Sequence, residues 1–423
     1  MSTTTRRGRL AIEGGPAAVS QPIPPMYPGG MRIDEAEERA VLEVLRTKRL
    51  FRYYGPQPGP SKVAELEEAF AQHMGARYAL AVASGTTALT SAFSGLRIGP
   101  GDEVVVPAYT WISTAAAVVA VGAVPVIAEV DESLTLDPQD FEAKITQYTR
   151  AVVPVHMRGA PCAMDEIMEV ARSRGVSVVE DAAQAAGAGY HDRRVGSIGD
   201  AGIFSLQFNK ILTSGEGGMV ITDDETQYQR ALMYHDVAAS QRSEMPHADT
   251  ILGINCRLSE LQGAVALVQL GKLEDILADC RRLKRTLKGA IAGAVESKTA
   301  GFRRINDDGE AAISLVFYMD TPDTARYAAR ALEAEGVGAD VLFEPDSSDY
   351  HVYYHWAPIL NRRYWGGQGP WAWSQREVTY SQDMCPRTLD LLGRAVHIDV
   401  SPDLTDRNVE ELAAGVNKVL HSL

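Results

Sequence analysis

A lysine in a glycine-rich loop between two apolar runs is the feature that constrains this chain most. Residues 203–221 read IFSLQFNKILTSGEGGMVI, and both ends of the segment have the composition of strands. The polar and glycine residues between them predict a tight loop that carries Lys210. A confined apolar setting removes water from an ammonium group, so we expect a lowered pKa and a free amine at Lys210. The alternative is a surface lysine in a hairpin.

An acidic residue follows an apolar strand in the same half of the chain. Residues 176–184 read VSVVEDAAQ, so Asp181 comes at the end of the predicted strand. In an open α/β sheet, ligands bind beyond the carboxyl ends of the strands. A lysine that forms a Schiff base and an anion against the pyridine nitrogen are both required by pyridoxal 5'-phosphate (PLP). An Asp in this position can instead be a helix N-cap.

A third candidate feature is the start of a helix that follows the strand at residues 78–82. Small residues, Ser84, Gly85 and Thr86, open this predicted helix. The first amides of a helix have no intrahelical partner, and the positive end of the dipole favours an anion there. Together with Lys210, this start predicts a phosphate cradle built from the Gly85 and Thr86 amides and the Thr86 hydroxyl. The alternative is a plain N-cap at Ser84.

Taken together, these motifs resemble the DegT/DnrJ/EryC1/StrS family. The resemblance rests on Glu180-Asp181-Ala182-Ala183-Gln184, on Phe204-Ser205 followed by Lys210, and on Gly215-Glu216-Gly217-Gly218. It extends from about residue 10 to the C-terminus and is strongest between residues 78 and 262. The resemblance implies a fold-type I, PLP-dependent aminotransferase that acts on sugars, cyclitols and related carbonyl compounds of secondary metabolism.

The resemblance also implies roles for individual residues. Lys210 would bind the cofactor and move the proton during transfer, and Asp181 would support the charge on the ring nitrogen. Gln184 would face the ring hydroxyl, Trp111 would stack over the ring, and Ser205 would belong to the cofactor site. Tyr109 is the other candidate for the stacking aromatic residue.

An N-x-R-L motif of the family matches Asn255, Arg257 and Leu258. By resemblance, Asn255 reaches the cofactor phosphate of the other subunit, so we expect a homodimer with shared active sites. Arg257 is interpreted as a support for the loop.

Three further residues are candidates for substrate binding. Arg52 and Tyr53 follow the first long predicted helix, at a junction that lies near the substrate entrance in the family. Arg158 stands where a small or aromatic residue is expected, and it can meet the carboxylate of the amino donor. The aromatic-rich segment 346–373 can be a substrate lid or a dimer contact.

Strands and helices alternate along the chain, which predicts an α/β fold with a mainly parallel sheet and helices on both faces. The resemblance implies a seven-stranded sheet, as in aspartate aminotransferase-like fold type I, and a smaller C-terminal α+β domain. We divide the 423 residues into an N-terminal arm (1–30), a large PLP-binding domain (31–280) and a small domain (281–423).

Composition argues against several classes of partner. The chain has 41 Lys and Arg against 55 Asp and Glu, a net charge of −14, which disfavours nucleic acid and anionic membranes. The four cysteines are scattered without metal-ligand spacing, so we expect no metal site and reduced thiols. The N-terminus has no apolar leader and no run is long enough to cross a bilayer, so we expect a cytoplasmic protein.

The predicted reaction moves an amino group from glutamate or glutamine to a keto group, with pyridoxamine phosphate as the intermediate form of the cofactor. One rival is a sugar dehydratase that uses PLP or pyridoxamine phosphate. The family's dehydratases replace the lysine by histidine or carry iron–sulfur cysteines, whereas this chain has Lys210 and no cysteine cluster. Another is a non-catalytic regulatory protein, which predicts decay of Lys210, Asp181 and Ser205. The acceptor stays open among nucleotide sugars, keto-cyclitols and heterocyclic or nucleoside carbonyls.

Overall fold

The largest element of the fold is a seven-stranded sheet, seen in a computed structural model that describes residues 9–53, 59–242 and 250–423. The strands in chain order are β1 (Tyr78–Val82), β2 (Glu103–Pro107), β3 (Val124–Ala128), β4 (Thr149–Val152), β5 (Ser177–Asp181), β6 (Gly189–Tyr190), β7 (Arg193–Arg194), β8 (Ala201–Ser205) and β9 (Gly218–Thr222). The sheet has the order β1-β9-β8-β5-β4-β2-β3, and β6 and β7 form a separate hairpin. Strands from β8 to β3 pair in parallel, while β9 is antiparallel to both neighbours. The predicted mainly parallel sheet is therefore confirmed.

Helices cover both faces of this sheet. They are α1 (Pro28–Met31), α2 (Glu35–Thr47), α3 (Lys62–Met74), α4 (Gly85–Gly95), α5 (Ser113–Ala120), α6 (Pro138–Lys144), α7 (Met164–Arg174), α8 (Glu225–His235), α9 (Ala239–Arg242) and α10 (Glu260–Lys298). Successive strand residues point to opposite faces. Val105, Val152 and Val178 accordingly share one core with α3, α7 and α10, whereas Val104 and Val179 share a second core with α4 and α5.

The C-terminal part contains a second sheet. Its strands β10 (Ser314–Tyr318), β11 (Ala339–Val341) and β12 (Ala395–Asp399) are antiparallel in the order β10-β12-β11. The helices of this part are α11 (Pro322–Ala334), α12 (Ala357–Leu360), α13 (Pro386–Arg394) and α14 (Asp406–Ser422). Because α11 and α14 form a third apolar core with β10 and β12, the smaller C-terminal unit has an interior of its own.

Helix α10 is 39 residues long and joins the two parts without a break. Its buried side chains belong to the first core up to Cys280 and to the C-terminal core from Leu283 onwards. The proposed division at residue 280 therefore lies inside a helix, where its apolar side chains change from one core to the other. Neither α10 nor any other helix in the described part of the chain is both long and apolar enough to cross a membrane.

The N-terminal arm packs on the C-terminal part. Leu10 is buried in the C-terminal core. The carboxylate of Glu335, just after α11, accepts hydrogen bonds from the amides of Ala11 and Ala18 at 2.8 and 2.9 Å. Residues 1–8 of the predicted arm lie outside the described residues.

Candidate active site

A cavity of about 400 Å³ lies beyond the carboxyl ends of β2, β5 and β8, beside the start of α4. This is the position at which open α/β sheets bind ligands. The cavity brings together seven of the residues singled out in the sequence, namely Gly85, Thr86, Trp111, Asp181, Gln184, Ser205 and Lys210. These seven residues, which lie up to 125 positions apart in the chain, therefore meet at one site.

Lys210 lies in the predicted loop between β8 and β9. The backbone fixes its position, because its amide donates to the Gln207 carbonyl and its carbonyl accepts from the Gly29 amide, both at 3.0 Å. Burial lowers the pKa of the Lys210 ammonium, against a smaller opposing effect of the Asp181 charge. In the described part of the chain no hydrogen bond or ion pair engages its side chain. The arrangement supplies an amine that is available to a bound molecule.

Asp181 ends β5 and is almost fully buried. One carboxylate oxygen accepts from the Thr114 hydroxyl at 2.9 Å, and the other accepts from the Ala183 amide at 3.1 Å. Thr114 is in turn 2.8 Å from the Thr110 hydroxyl. Burial raises the pKa of Asp181, although both hydrogen bonds and the nearby Lys210 charge favour its ionised form. A cationic group brought against this oriented carboxylate would stabilise its negative charge.

The start of α4 also lines the cavity. Ser84 is its N-cap, with its hydroxyl oxygen accepting from the Thr87 amide at 3.1 Å. The amides of Gly85 and Thr86 precede the first intrahelical bonds, as at any helix start. A Cβ atom on Gly85 would lie only 3.0 Å from the Ser205 Cβ, so glycine lets the helix approach that side chain. Amides and hydroxyls therefore face one end of the cavity, as an anion requires.

Two predicted substrate residues, Arg52 and Tyr53, lie outside this cavity. Arg52 forms an ion pair with the buried Glu67 and donates to the Tyr53 hydroxyl at 3.2 Å. Tyr53 lies 3.2 Å from Nε2 of His235, whose Nδ1 contacts the Leu232 carbonyl and must therefore carry the hydrogen. The Arg52 guanidinium is thus engaged within the chain, and its role toward a substrate stays a prediction.

Arg158 borders a neighbouring groove of about 580 Å³, which Asn209 shares with the main cavity. Its Nε donates to the Tyr109 hydroxyl at 2.8 Å, and its Nη1 is 3.0 Å from Nε2 of His397. Tyr109, the alternative stacking residue, is fully buried and does not line the cavity. A carboxylate-binding role for Arg158 stays a prediction.

Asn255 also lies away from the cavity of its own chain. It is exposed, and among the described residues its side-chain oxygen accepts one long hydrogen bond of 3.5 Å, from the Arg257 amide. Arg257 forms an ion pair with the buried Asp236 at 2.7 Å. This contact agrees with the loop-support interpretation of Arg257.

Thr110, Thr114 and His351 are among the cavity residues that the sequence analysis did not identify. The threonines follow β2, and their position after a strand was a usable signal. His351 itself was not singled out, although it belongs to segment 346–373, which was a candidate substrate lid; backbone hydrogen bonds bring it to the site from far along the chain. The amide of Thr110 donates to the His351 carbonyl at 2.8 Å, and that of Ile112 donates to the Tyr350 carbonyl at 3.0 Å.

Comparison with known proteins gives matches over most of the chain. Residues 31–363 match the sequence model of the DegT/DnrJ/EryC1/StrS aminotransferase family. L-glutamine:2-deoxy-scyllo-inosose aminotransferase of Streptoalloteichus tenebrarius is 38% identical over 293 residues, 67% of this chain and 68% of that protein. GDP-perosamine synthase of Caulobacter vibrioides is 42% identical over 224 residues, 52% of this chain and 59% of that protein. The crystal structure of 3-amino-5-hydroxybenzoic acid synthase has a TM-score of 0.79 at 27% identity, covering 96% of this chain and 100% of that one.

Proposed function

The chain belongs to the DegT/DnrJ/EryC1/StrS aminotransferase family, and from that membership we propose that it uses PLP to move an amino group from L-glutamine or L-glutamate to a keto-sugar or keto-cyclitol. One observation carries the proposal. The Lys210 amine and the Asp181 carboxylate line a single cavity with the free amides at the start of α4. The dehydratase and regulatory alternatives are disfavoured, because the matching family and the named relative are aminotransferases.

The donor set of the cavity fits PLP. An anion site at Gly85 and Thr86 suits the phosphate, the buried Asp181 suits the pyridine nitrogen, and Lys210 suits the aldehyde carbon. Trp111 is 45% exposed, so a face of its ring is available for stacking. When bound, PLP supplies an electron-withdrawing ring that lets a proton leave the carbon next to the amine.

Protein groups would then handle the protons. Nζ of Lys210 would move the proton between the substrate carbon and the cofactor. This role needs the lowered pKa that burial of Lys210 provides. Asp181 holds a proton on the pyridine nitrogen, and Thr114 and the Ala183 amide fix its orientation. The side-chain oxygen of Gln184 accepts a hydrogen bond from the Arg158 amide at 3.0 Å. Its NH₂ group therefore stays available for the hydroxyl group of the PLP ring.

The two half-reactions can be tested separately. We expect L-glutamine or L-glutamate to remove the visible absorbance of the PLP-loaded protein, and D-glutamine to leave it unchanged. We then expect 2-deoxy-scyllo-inosose to restore the absorbance of the pyridoxamine phosphate form, or GDP-perosamine to react with the PLP form in the reverse direction. The probes represent the cyclitol and nucleotide-sugar classes of the relatives. Absence of a spectral change with both L-amino acids would contradict the proposed donor.

We also propose a homodimer whose active sites are built from both chains. In the described part of the chain, Lys210, which suits the aldehyde carbon, is the only lysine or arginine that lines the cavity, so no cationic side chain there is left for the phosphate. Asn255 lies beside two exposed apolar residues, Leu252 at 89% and Ile254 at 49%. Exposed apolar side chains of this kind are typical of a surface that a partner covers. A second copy can cover this loop and receive Asn255 at its phosphate site.

Substitution of Asn255 tests this shared site. We expect Asn255→Ala to weaken PLP binding by about tenfold to a hundredfold, the value of a hydrogen bond to a charged group. Asn361→Ala, which removes another exposed asparagine outside the cavity, should bind PLP like the wild type. PLP affinity is measured by titrating the PLP-free proteins.

Subunit exchange distinguishes the two arrangements. In a mixed dimer of Lys210→Ala and Asn255→Ala chains, a shared site would contain native Lys210 from one chain and native Asn255 from the other. At low PLP concentration, activity should then rise above that of either parent. Activity that stays at the average of the parents would rule the shared site out.

A further inference from the structure

One pair of side chains at the cavity has no role in the reaction described above. His351 lines the cavity, and its Nδ1 lies 2.7 Å from the carboxylate of Asp349. The same carboxylate oxygen accepts a hydrogen bond from the His351 amide at 3.0 Å, and the His351 carbonyl accepts one from the Thr110 amide. Both the backbone and the ring of His351 are therefore fixed.

This geometry determines what the free edge of the ring can do. An ionised carboxylate only accepts hydrogen bonds, so Nδ1 carries the hydrogen and Nε2 of the neutral ring is an acceptor. Burial acts to raise the pKa of Asp349, but hydrogen bonds from the His351 ring and amide oppose it, and this pKa lies below its ordinary value. Within the described residues, no hydrogen bond engages Nε2. The imidazole centroid is 4.9 Å from the Trp111 ring, with an angle of 54° between the planes.

His351 comes from a different part of the chain than the groups that would hold the cofactor. Of the described residues that line the cavity, only His351 comes from beyond residue 216. The groups that suit the phosphate, the pyridine nitrogen, the aldehyde and the ring face all come from residues 84–210. None of the roles assigned to those groups uses Nε2 of His351, so this atom is left for the reacting molecules.

Charge favours the amino acceptor over the amino donor as the partner of His351. Glutamine and glutamate both carry an α-carboxylate, which the neighbouring Asp349 carboxylate would repel. A neutral hydroxyl of a sugar or cyclitol is not repelled, and it can donate to Nε2. We propose that His351 is a specificity-determining residue that accepts a hydrogen bond from a ring hydroxyl of the amino acceptor, and that Asp349 is its positioning residue. This inference rests on the proposed aminotransfer to a keto-sugar or keto-cyclitol.

Separate half-reaction kinetics test the assignment. In His351→Phe, which keeps an aromatic ring beside Trp111, we expect the half-saturating acceptor concentration to rise about tenfold, since one hydrogen bond is lost. The donor half-reaction and the affinity for PLP should stay within about twofold of the wild type, because neither uses Nε2. His351→Gln, whose amide oxygen can accept the same bond, should recover most of the loss. His355→Phe is the matched control, since His355 does not line the cavity.

The probes are 2-deoxy-scyllo-inosose for the acceptor half-reaction and GDP-perosamine for its reverse, with L-glutamine and L-glutamate as donors. Asp349→Ala should raise the half-saturating concentration in the same half-reaction as His351→Phe, since it removes the acceptor that holds the ring. Equal effects of His351→Phe on both half-reactions, or no effect on either, would overturn the inference while leaving the proposed function intact. A wild-type protein that reacts with neither probe would overturn the acceptor class and the inference with it.

Discussion

Replacement of Lys210 by alanine is expected to abolish amino transfer and the visible absorbance of the PLP-bound protein. The change removes both the amine that would hold the cofactor and the group that would carry the proton. Loss of the proton carrier alone typically costs about 10²–10⁴-fold in rate, so we expect a loss of at least about 10³-fold. The fold should persist, because the hydrogen bonds at this position are made by the backbone.

Steady-state turnover and the absorbance spectrum of the purified variant check this expectation. Lys144→Ala is the matched control, since Lys144 ends α6 and does not line the cavity. It should keep wild-type turnover and colour. Sustained transamination by a Lys210→Ala protein that is free of wild-type enzyme would show that another amine does the chemistry.

Replacement of Asp181 by asparagine should leave PLP bound but slow the proton-transfer step by about 10²–10³-fold, as for other losses of preorganised charge. Asparagine has the same shape, and it can still accept from the Ala183 amide and donate to Thr114. Burial disfavours the charge of Asp181, so the neutral side chain does not threaten folding. The loss is therefore expected in the rate rather than in stability.

Single-turnover reaction with the amino donor measures this step directly. Asp165→Asn removes an exposed carboxylate outside the cavity and should react at the wild-type rate. Melting temperatures of the two variants and the wild type show whether each protein is folded. A folded Asp181→Asn protein with wild-type rates would exclude the role proposed for this carboxylate.

The parts of the site that could be predicted from the sequence are encoded locally. Lys210, Asp181 and Gly85 each lie within a few residues of a strand end, and the parallel sheet brings such ends to one edge. The apolar strands and the glycine-rich loop were enough to identify them. The same reasoning correctly predicted the mainly parallel sheet, and the strand expected at residues 78–82 has the bounds of β1.

The parts that could not be predicted depend on contacts between distant segments. His351 reaches the cavity through backbone pairing with residues near Thr110, and no local pattern specifies that register. Arg52 forms an ion pair with Glu67, which is buried on α3. The sequence alone did not indicate this pair, so Arg52 was a candidate for substrate binding. Segment 346–373 contains the short helix α12, Ala357–Leu360, which follows the fully buried Trp356, and the burial of this tryptophan depends on distant parts of the chain.

The unbroken α10 helix limits how this molecule can open to a bulky substrate. A helix of 39 residues is about 58 Å long, and its backbone hydrogen bonds continue through the position where the two cores meet. Rotation of one core against the other would have to bend or unfold helix α10, and this would disrupt its apolar contacts with both cores. The helix therefore opposes the hinge closure used by many two-domain enzymes at residue 280. Local movements of loops at the rim of the cavity would admit a bulky substrate without that cost.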